Sequence, residues 1–206
     1  MHFQIVHPVQ KNVFPVMVIW QTLDSTAFLE GLLNEYDMSG YKSQAFKLEK
    51  RRREWLKTRI LLDHLRPGSI LSFLPNGKPV LNDGHHVSIS HSDEMAAVII
   101  HQKPVGIDIQ EPDEKLSKIK TRFCHASELN FLQNADEMSM LAIIWSAKEA
   151  VFKSFGEGVE FASDMVLRPF SITDEWLYLD YEGKHGKHEF RLHHHCSNGF
   201  HVVATT

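Results

Sequence analysis

The chain has 206 residues, of which 43% are hydrophobic and 23% are charged, and its formal net charge is -4 at pH 7. This length accommodates one large domain or two small ones, and the composition is that of an ordinary globular protein. The acidic balance argues against general nucleic-acid binding, which needs a clearly basic surface. Any basic patch is therefore expected to be local and suited to a small polyanion.

The segment up to Trp20 lacks the continuous apolar region after a basic start that marks a signal peptide. No window approaches the roughly 18 to 20 uninterrupted apolar residues that span a bilayer. Two cysteines, Cys124 and Cys196, are too few for a disulfide framework and fit a reducing compartment. We therefore expect a cytoplasmic protein with two ordinary thiols.

The first half of the chain reads as a strand, helices and then more strands. A β-branched run at residues 13–20 predicts a buried strand, and Ser25 offers N-cap chemistry for a short helix through Leu33. A long amphipathic helix is predicted over residues 43–65, where Arg66-Pro67-Gly68 ends it. The Asn76-Gly77 turn separates two short strands. Further strands are predicted at residues 87–90, 95–101 and 105–110.

The second half repeats this coarse order. Helices are predicted over residues 115–134 and 136–155, and Gly156 ends the second of them. Alternating segments at 165–171, 176–181, 188–194 and 200–205 predict an antiparallel sheet. The order indicates an α+β protein with two halves, 1–103 and 104–206.

Asp108 interrupts a strand that is otherwise apolar. In the segment from Pro104 to Glu111, Ile107 and Ile109 face one side of the strand while Asp108 and Gln110 face the other. A carboxylate in such a position is costly unless a metal, a cation or a donor compensates it. The residues alone leave two interpretations open, a salt-bridged structural aspartate and a metal ligand.

The helical segment Trp145-Ser-Ala-Lys-Glu-Ala-Val-Phe-Lys153 carries the second group of candidate residues. Glu149 and Lys153 are four residues apart, which by itself is typical of an exposed helical ion pair. Trp145 and Phe152 beside them instead indicate a buried margin, where the carboxylate could hold a cation and the lysine a phosphate.

Two histidine segments remain. His91 lies between Ser90 and Ser92 at a strand end, which offers donors to phosphate oxygens but also fits a solvated loop end. In the run His193-His194-His195, only His193 and His195 share a strand face, and a zinc site would need further ligands. We expect no metal there.

Taken together, Gly106-Ile107-Asp108 and the later segment from Trp145 to Lys153 resemble the signature of the 4'-phosphopantetheinyl transferase superfamily. Gly77-Lys78-Pro79 and Ser90-His91-Ser92 match as well, in the same order. Length and these upstream elements are similar to the two-halved, surfactin-synthetase-activating (Sfp-like) subgroup. The resemblance implies two similar α+β halves related by a pseudo-twofold and packed as one monomeric unit.

The resemblance also implies the reaction. The 4'-phosphopantetheine group of coenzyme A would be transferred to a serine of an apo acyl or peptidyl carrier protein, releasing 3',5'-ADP. Mg²⁺, with Mn²⁺ as a substitute, would be held by Asp108 and Glu149. Gln110, which stands where many relatives carry an acidic residue, stays an open third ligand. Glu149 is the implied base for the serine, and Lys153 would bind the pyrophosphate.

Contacts to coenzyme A are implied for several residues of the first half. His91 and Ser90 would contact its phosphates, Lys78 would border the adenine or phosphate pocket, and Arg59 and Arg52 match the basic helix that binds the 3'-phosphate. The basic run from Lys50 to Arg53 has a solvated helix face as its alternative. Lys148 is expected to be a supporting charge.

Two rival functions are weighed against the transferase. A non-catalytic relative that binds coenzyme A or a carrier protein is favoured only by the neutral Gln110. A nucleic-acid-binding module built on Arg51-Arg52-Arg53 would bind polyanions generally, and the acidic net charge disfavours it. We therefore expect neither a nucleic acid nor a membrane as partner.

Overall fold

The computed structural model describes residues 4–6, 16–92, 94–132 and 136–206. The chain divides into two compact units, Met1–Lys103 and Pro104–Thr206. Both units contain helices and strands, so the prediction of an α+β protein is confirmed. None of the helices in the described ranges is long and apolar enough to cross a membrane.

Within its described residues, the N-terminal unit contains three helices, a four-stranded sheet and a two-stranded hairpin. Its elements are β1 Gln4–Val6, β2 Val16–Gln21, α1 Thr26–Glu30, α2 Glu35–Lys42, α3 Glu49–Leu65, β3 Leu71–Phe73, β4 Pro79–Leu81, β5 His86–His91 and β6 Met95–His101. The four-stranded sheet has the order β1-β2-β6-β5 and is antiparallel throughout, while β3 pairs with β4. The first residues of the strand predicted at 13–20 lie outside the described residues.

The prediction of a long helix over residues 43–65 is wrong about where the helix begins. Helix α2, which Asn34 caps by accepting a hydrogen bond from the backbone N of Asp37, ends at Lys42 with Ser43 as its C-cap, and residues 43–48 are not helical. Helix α3 begins only at Glu49. Its apolar side, which includes Leu56 and Leu61, is buried on the sheet.

The C-terminal unit is built around one long helix on a five-stranded sheet. Its elements are β7 Ile107–Gln110, α4 Glu114–Ile119, a short 3-10 helix Lys120–Arg122, α5 Ala126–Phe131, α6 Glu137–Phe155, α7 Phe161–Asp164, β8 Met165–Leu167, β9 Trp176–Gly183, β10 Gly186–Ser197 and β11 Phe200–Thr205. The antiparallel sheet has the order β7-β11-β10-β9-β8.

The predicted helix over residues 115–134 is broken in the structure. A 3-10 helix follows α4, and α5 starts afresh at a capping box in which His125 and Glu128 satisfy each other's backbone N–H groups. Residues 133–135 of that prediction lie outside the described residues.

Helix α6 matches its prediction closely because both ends carry strong local signals. Asp136 caps the first turn, and Gly156 ends the helix with φ of 97°, a left-handed conformation that glycine adopts without strain. The helix buries Leu141, Ile144 and other apolar residues against the sheet. This packing holds α6 over the strand β7.

Candidate functional site

Asp108 is the acidic residue of β7 and is buried, with 7% of its surface exposed. It pairs in register with Val203 of β11, while Ile107 and Ile109 point to the opposite face of the sheet. Lys153 of α6 donates to Asp108 Oδ1 at 2.8 Å and to the carbonyl oxygen of Ile107 at 2.9 Å. Strand β7 and helix α6 are therefore joined by a charged hydrogen bond.

Gly106 allows β7 to approach α6 so closely. A Cβ atom at this position would lie 1.8 Å from the carbonyl oxygen of Ala150, far inside any allowed contact. The Gly106 N–H donates to the Thr205 hydroxyl at 2.8 Å, which fixes the strand from its other side. Because Ala150 follows Glu149 in α6, this contact sets the height of Glu149 beside the strand.

Glu149 is partly buried, and its carboxyl is electrostatically coupled to the other charges of the site. Burial and the negative charge of Asp108 raise the pKa of Glu149 to about 7, against a smaller lowering by Lys153. The structure thus brings together the three residues Asp108, Glu149 and Lys153. They form a cluster of two carboxylates and one ammonium, which we call the carboxylate cluster.

Gln110 is the next residue on the same side of β7. Its side-chain amide donates to the carbonyl oxygen of Glu111 at 2.9 Å. Its Cα pairs in register with His201 of β11. In this arrangement the amide is turned to the main chain, and its role as a metal ligand stays a prediction.

The carboxylate oxygens of the cluster suit a Mg²⁺ ion that a substrate phosphate would also coordinate. Among the described residues there is no group of three or more His, Cys, Asp or Glu side chains that could hold a metal by itself. Mg²⁺ prefers hard oxygen ligands and is commonly bound through one or two carboxylates, with phosphate oxygens and water filling the other positions. Asp108 and Glu149 supply that number of carboxylates, and the pKa of Glu149 is raised first by its burial and then by the negative charge of Asp108.

Lys148 is not part of this cluster. Its ammonium is completely buried and forms an ion pair with Glu128 at 2.7 Å. The interpretation of Lys148 as a supporting charge beside Lys153 is therefore wrong. The reason is helical geometry, since a residue next to Glu149 points about 100° away from it around the helix axis.

The two arginines expected to bind a phosphate are held by neighbouring side chains of the N-terminal unit. Arg52 pairs with Glu30 and with the Tyr41 hydroxyl. Arg59 donates to the carbonyl oxygen of Leu71 at 2.9 Å and lies over the ring of Trp55. Burial lowers the pKa of Arg59, which is also 3.9 Å from Asp37.

The segment containing Ser90 and His91 lies at the end of β5, next to α3. Ser90 is buried. His91 Nε2 is 2.8 Å from the Thr58 hydroxyl, which donates its own proton to the carbonyl oxygen of Glu54 at 2.9 Å. The hydroxyl therefore accepts from His91, so that Nε2 carries a proton. Lys78 lies in the β3–β4 turn, and its charge contributes, after burial, to lowering the pKa of His86.

Other basic side chains of α3 converge on a cavity that the sequence did not single out. This cavity of about 320 Å³, which we call the basic pocket, is lined by Lys50, Arg53, Glu54, Lys57 and Ser92. Lys57 has only 1% of its surface exposed. The spacing of Lys50, Arg53 and Lys57 at i, i+3 and i+7 was the available signal, because these positions share one helix face.

The histidine run from His193 to His195 and both cysteines lie in the C-terminal unit. His193 is buried, and its Nε2 lies 3.4 Å from a Glu175 carboxylate oxygen. His194 Nε2 is 3.0 Å from Nδ1 of His201. Cys124 is buried and Cys196 is exposed, and both are free thiols.

Comparison with known families agrees with this geometry. Residues 104–205, which comprise the carboxylate cluster, match the model of the 4'-phosphopantetheinyl transferase superfamily. The C-terminal unit of the chain therefore belongs to that superfamily, and the resemblance inferred from the sequence is confirmed.

Individual relatives carry the same name. The chain is similar to the 4'-phosphopantetheinyl transferase gsp of Aneurinibacillus migulanus, with 37% identity over 40% of this chain and 36% of the relative. It is 35% identical to the 4'-phosphopantetheinyl transferase psf-1 of Bacillus pumilus, over 42% of this chain and 39% of the relative. A 4'-phosphopantetheinyl transferase of Bacillus subtilis is 33% identical, over 42% of this chain and 39% of the relative. The aligned part of the chain thus spans less than two fifths of each relative.

Proposed function

We propose that the chain transfers the 4'-phosphopantetheine group of coenzyme A to a serine hydroxyl of an apo acyl or peptidyl carrier protein and releases 3',5'-ADP. The observation that carries this proposal is the carboxylate cluster, in which Lys153 is hydrogen-bonded to Asp108, and in which burial and, after it, the charge of Asp108 raise the pKa of Glu149 to about 7. Membership of the C-terminal unit in the transferase superfamily supports it.

The residues of the cluster match the demands of phosphoryl-type transfer, in which the pyrophosphate must be neutralised and the hydroxyl deprotonated. Mg²⁺, held by Asp108 and Glu149, would supply positive charge beside the pyrophosphate. A carboxylate whose pKa is close to neutral is well suited to accept the serine proton, and Glu149 has this property. Lys153 would turn from Asp108 to the pyrophosphate and stabilise the charge that develops on the leaving group.

The N-terminal unit would bind the phosphates of coenzyme A. His91 precedes Ser92, which lines the basic pocket, and because its Nε2 proton is donated to Thr58, a phosphate contact of His91 would require the ring to turn or to carry a proton on Nδ1. Ser90 and Lys78 keep the roles implied by the sequence. Because Arg52 and Arg59 are held by other groups, we assign the 3'-phosphate to the basic pocket rather than to these two residues.

Several features of the whole protein belong to the same proposal. The two α+β units would be similar halves related by a pseudo-twofold, working as a cytoplasmic monomer without nucleic acid or membrane. The N-terminal half, 1–103, would supply phosphate contacts and the C-terminal half, 104–206, the metal site and the catalytic helix.

A transfer assay with purified apo-carrier proteins tests the function directly. The protein is mixed with coenzyme A, Mg²⁺ and each carrier in turn, and mass spectrometry measures whether the carrier gains one phosphopantetheine arm. Transfer to any carrier excludes the non-catalytic binding relative. Tight binding of coenzyme A without transfer to any of a broad set of carriers would favour that relative instead.

A further inference from the structure

A pair of oppositely charged side chains in the C-terminal unit is fully buried. Neither Lys148 nor Glu128 has any exposed side-chain surface. Lys148 Nζ lies 2.7 Å from Glu128 Oε2, and it also donates to the main-chain carbonyl oxygens of Phe123, Phe161 and Met165 at 2.7, 3.0 and 2.9 Å. The ammonium is therefore surrounded by acceptors from four separate segments.

Glu128 extends this network to two more backbone groups. Its Oε2 accepts from the N–H of His125 at 2.7 Å, and its Oε1 accepts from the N–H of Leu167 at 2.6 Å. The pair therefore joins α6 to the 3-10 helix, to the first turns of α5 and α7, and to the strand β8.

Net stability is a poor explanation for such a pair. Removing two charges from water is expensive, and a well-packed apolar pair of similar volume is often as stable or more stable. What the charged pair adds is specificity, because the three N–H groups of the ammonium keep their acceptors only while α6 holds Lys148 within reach of all these segments.

The orientation of α6 matters because Glu149 lies between two residues that are fixed by their contacts. Lys148, the residue before it, is held by the buried network. Ala150, the residue after it, packs closely on Gly106, which directly precedes β7. Side-chain tips lie about 5 to 6 Å from a helix axis, so a rotation of α6 by about 10° would move the Glu149 carboxylate by about 1 Å. A displacement of this size can lower a reaction rate by about 100-fold.

We propose that the ion pair between Lys148 and Glu128 positions α6, fixing its rotation so that Glu149 and Lys153 point toward Asp108. Lys148 is a positioning residue in this scheme, since it acts through Glu149 and touches no substrate. The proposal rests on the proposed transferase function for its kinetic consequence, but its effect on the direction of Glu149 is independent of any carrier protein.

The test replaces both charges together by Lys148→Met and Glu128→Leu, which leaves no buried charge without a partner. We expect a folded protein whose kcat for transfer falls by about 10- to 100-fold, while the KM for coenzyme A changes by less than about threefold. Electron paramagnetic resonance of Mn²⁺ in the presence of coenzyme A supplies a readout without carrier. There we expect affinity to fall by about tenfold, because both carboxylates must point to one ion.

The ion pair between Lys120 and Glu137, at the other end of α6, provides the matched control. Its two side chains are about one-third exposed, and their charged atoms are 2.6 Å apart. Lys120→Met with Glu137→Leu removes the same charges from the same helix, and we expect unchanged kcat and unchanged Mn²⁺ affinity.

The outcomes separate this inference from the proposed function. If the wild-type protein modifies no carrier, the proposed function fails, and Mn²⁺ affinity alone then decides the positioning role. If the folded double variant keeps wild-type kcat and Mn²⁺ affinity, the positioning role is overturned. If it does not fold, Glu128→Gln takes its place with the same expected losses. Should neither variant fold, the pair serves folding itself and the positioning role is also overturned.

Discussion

Replacing Glu149 by glutamine should stabilise the protein at alkaline pH while abolishing transfer. Glutamine has nearly the shape of the carboxyl group but no charge, so the packing of α6 is retained. In the folded protein, burial and the charge of Asp108 raise the pKa of Glu149 from 4.5 to about 7. The folded state therefore opposes ionisation of this group, and the unfolded state does not.

The sign and the size of the effect follow from proton linkage. Below pH 4.5 the group is protonated in both states and has no pH-dependent effect, whereas between pH 4.5 and 7 only the unfolded state loses the proton, so stability falls as pH rises. A rise from 4.5 to about 7, at about 1.36 kcal/mol per pH unit, sets an upper limit of about 3 kcal/mol. Because Glu149 is partly exposed and solvent screens its charge, we expect a measured gain of about 1 to 3 kcal/mol.

Urea unfolding of the wild-type protein and of Glu149→Gln at pH 4.5 and pH 8 measures this difference. We expect the variant to gain free energy of unfolding at pH 8 relative to its change at pH 4.5. Glu157→Gln, at an exposed position shortly after the same helix, is the control and should show no such pH dependence. An equal change for Glu149→Gln at both pH values would refute the electrostatic coupling on which the site depends.

Three further outcomes are expected. Asp108→Ala and Lys153→Ala should each remove transfer or weaken it strongly, with circular dichroism spectra like that of the wild type; near-normal turnover in both would contradict the assigned site. Gly106→Ala should lower the free energy of unfolding by about 1 to 3 kcal/mol and also reduce kcat, because its Cβ meets the backbone of Ala150; an unchanged melting temperature would argue against the close approach. Lys57→Met should raise the KM for coenzyme A but leave the KM for dephospho-coenzyme A unchanged, since only the former carries a 3'-phosphate. Equal effects on both KM values would contradict the assignment of the 3'-phosphate to the basic pocket.

The charges of the carboxylate cluster would favour the cation that we propose there. Lys153 provides the positive charge next to Asp108, and Glu149 is left with a pKa near neutrality. A divalent ion that replaced the ammonium at Asp108 would relieve the repulsion between the two carboxylates. Lys153 would then be released toward an incoming pyrophosphate, which needs the same charge.

The sequence alone determined the parts of the site that depend on local signals. Alternation along β7 placed Asp108 opposite to its isoleucine neighbours, and Gly156 marked the end of the helix that carries Glu149 and Lys153. Strand alternation and helix capping act over a few residues, so they can be read without knowing the rest of the fold.

Only the tertiary structure decided which charged residues belong together. Arg52 and Arg59 looked suited to a phosphate, but residues far away in the sequence hold them, while Lys57 lines the basic pocket instead. Lys148 was expected to be a supporting charge of the site but is paired with Glu128, 20 residues earlier. The direction of a long charged side chain depends on which distant carboxylates and carbonyl groups packing brings within hydrogen-bonding reach, and no local pattern encodes those distances.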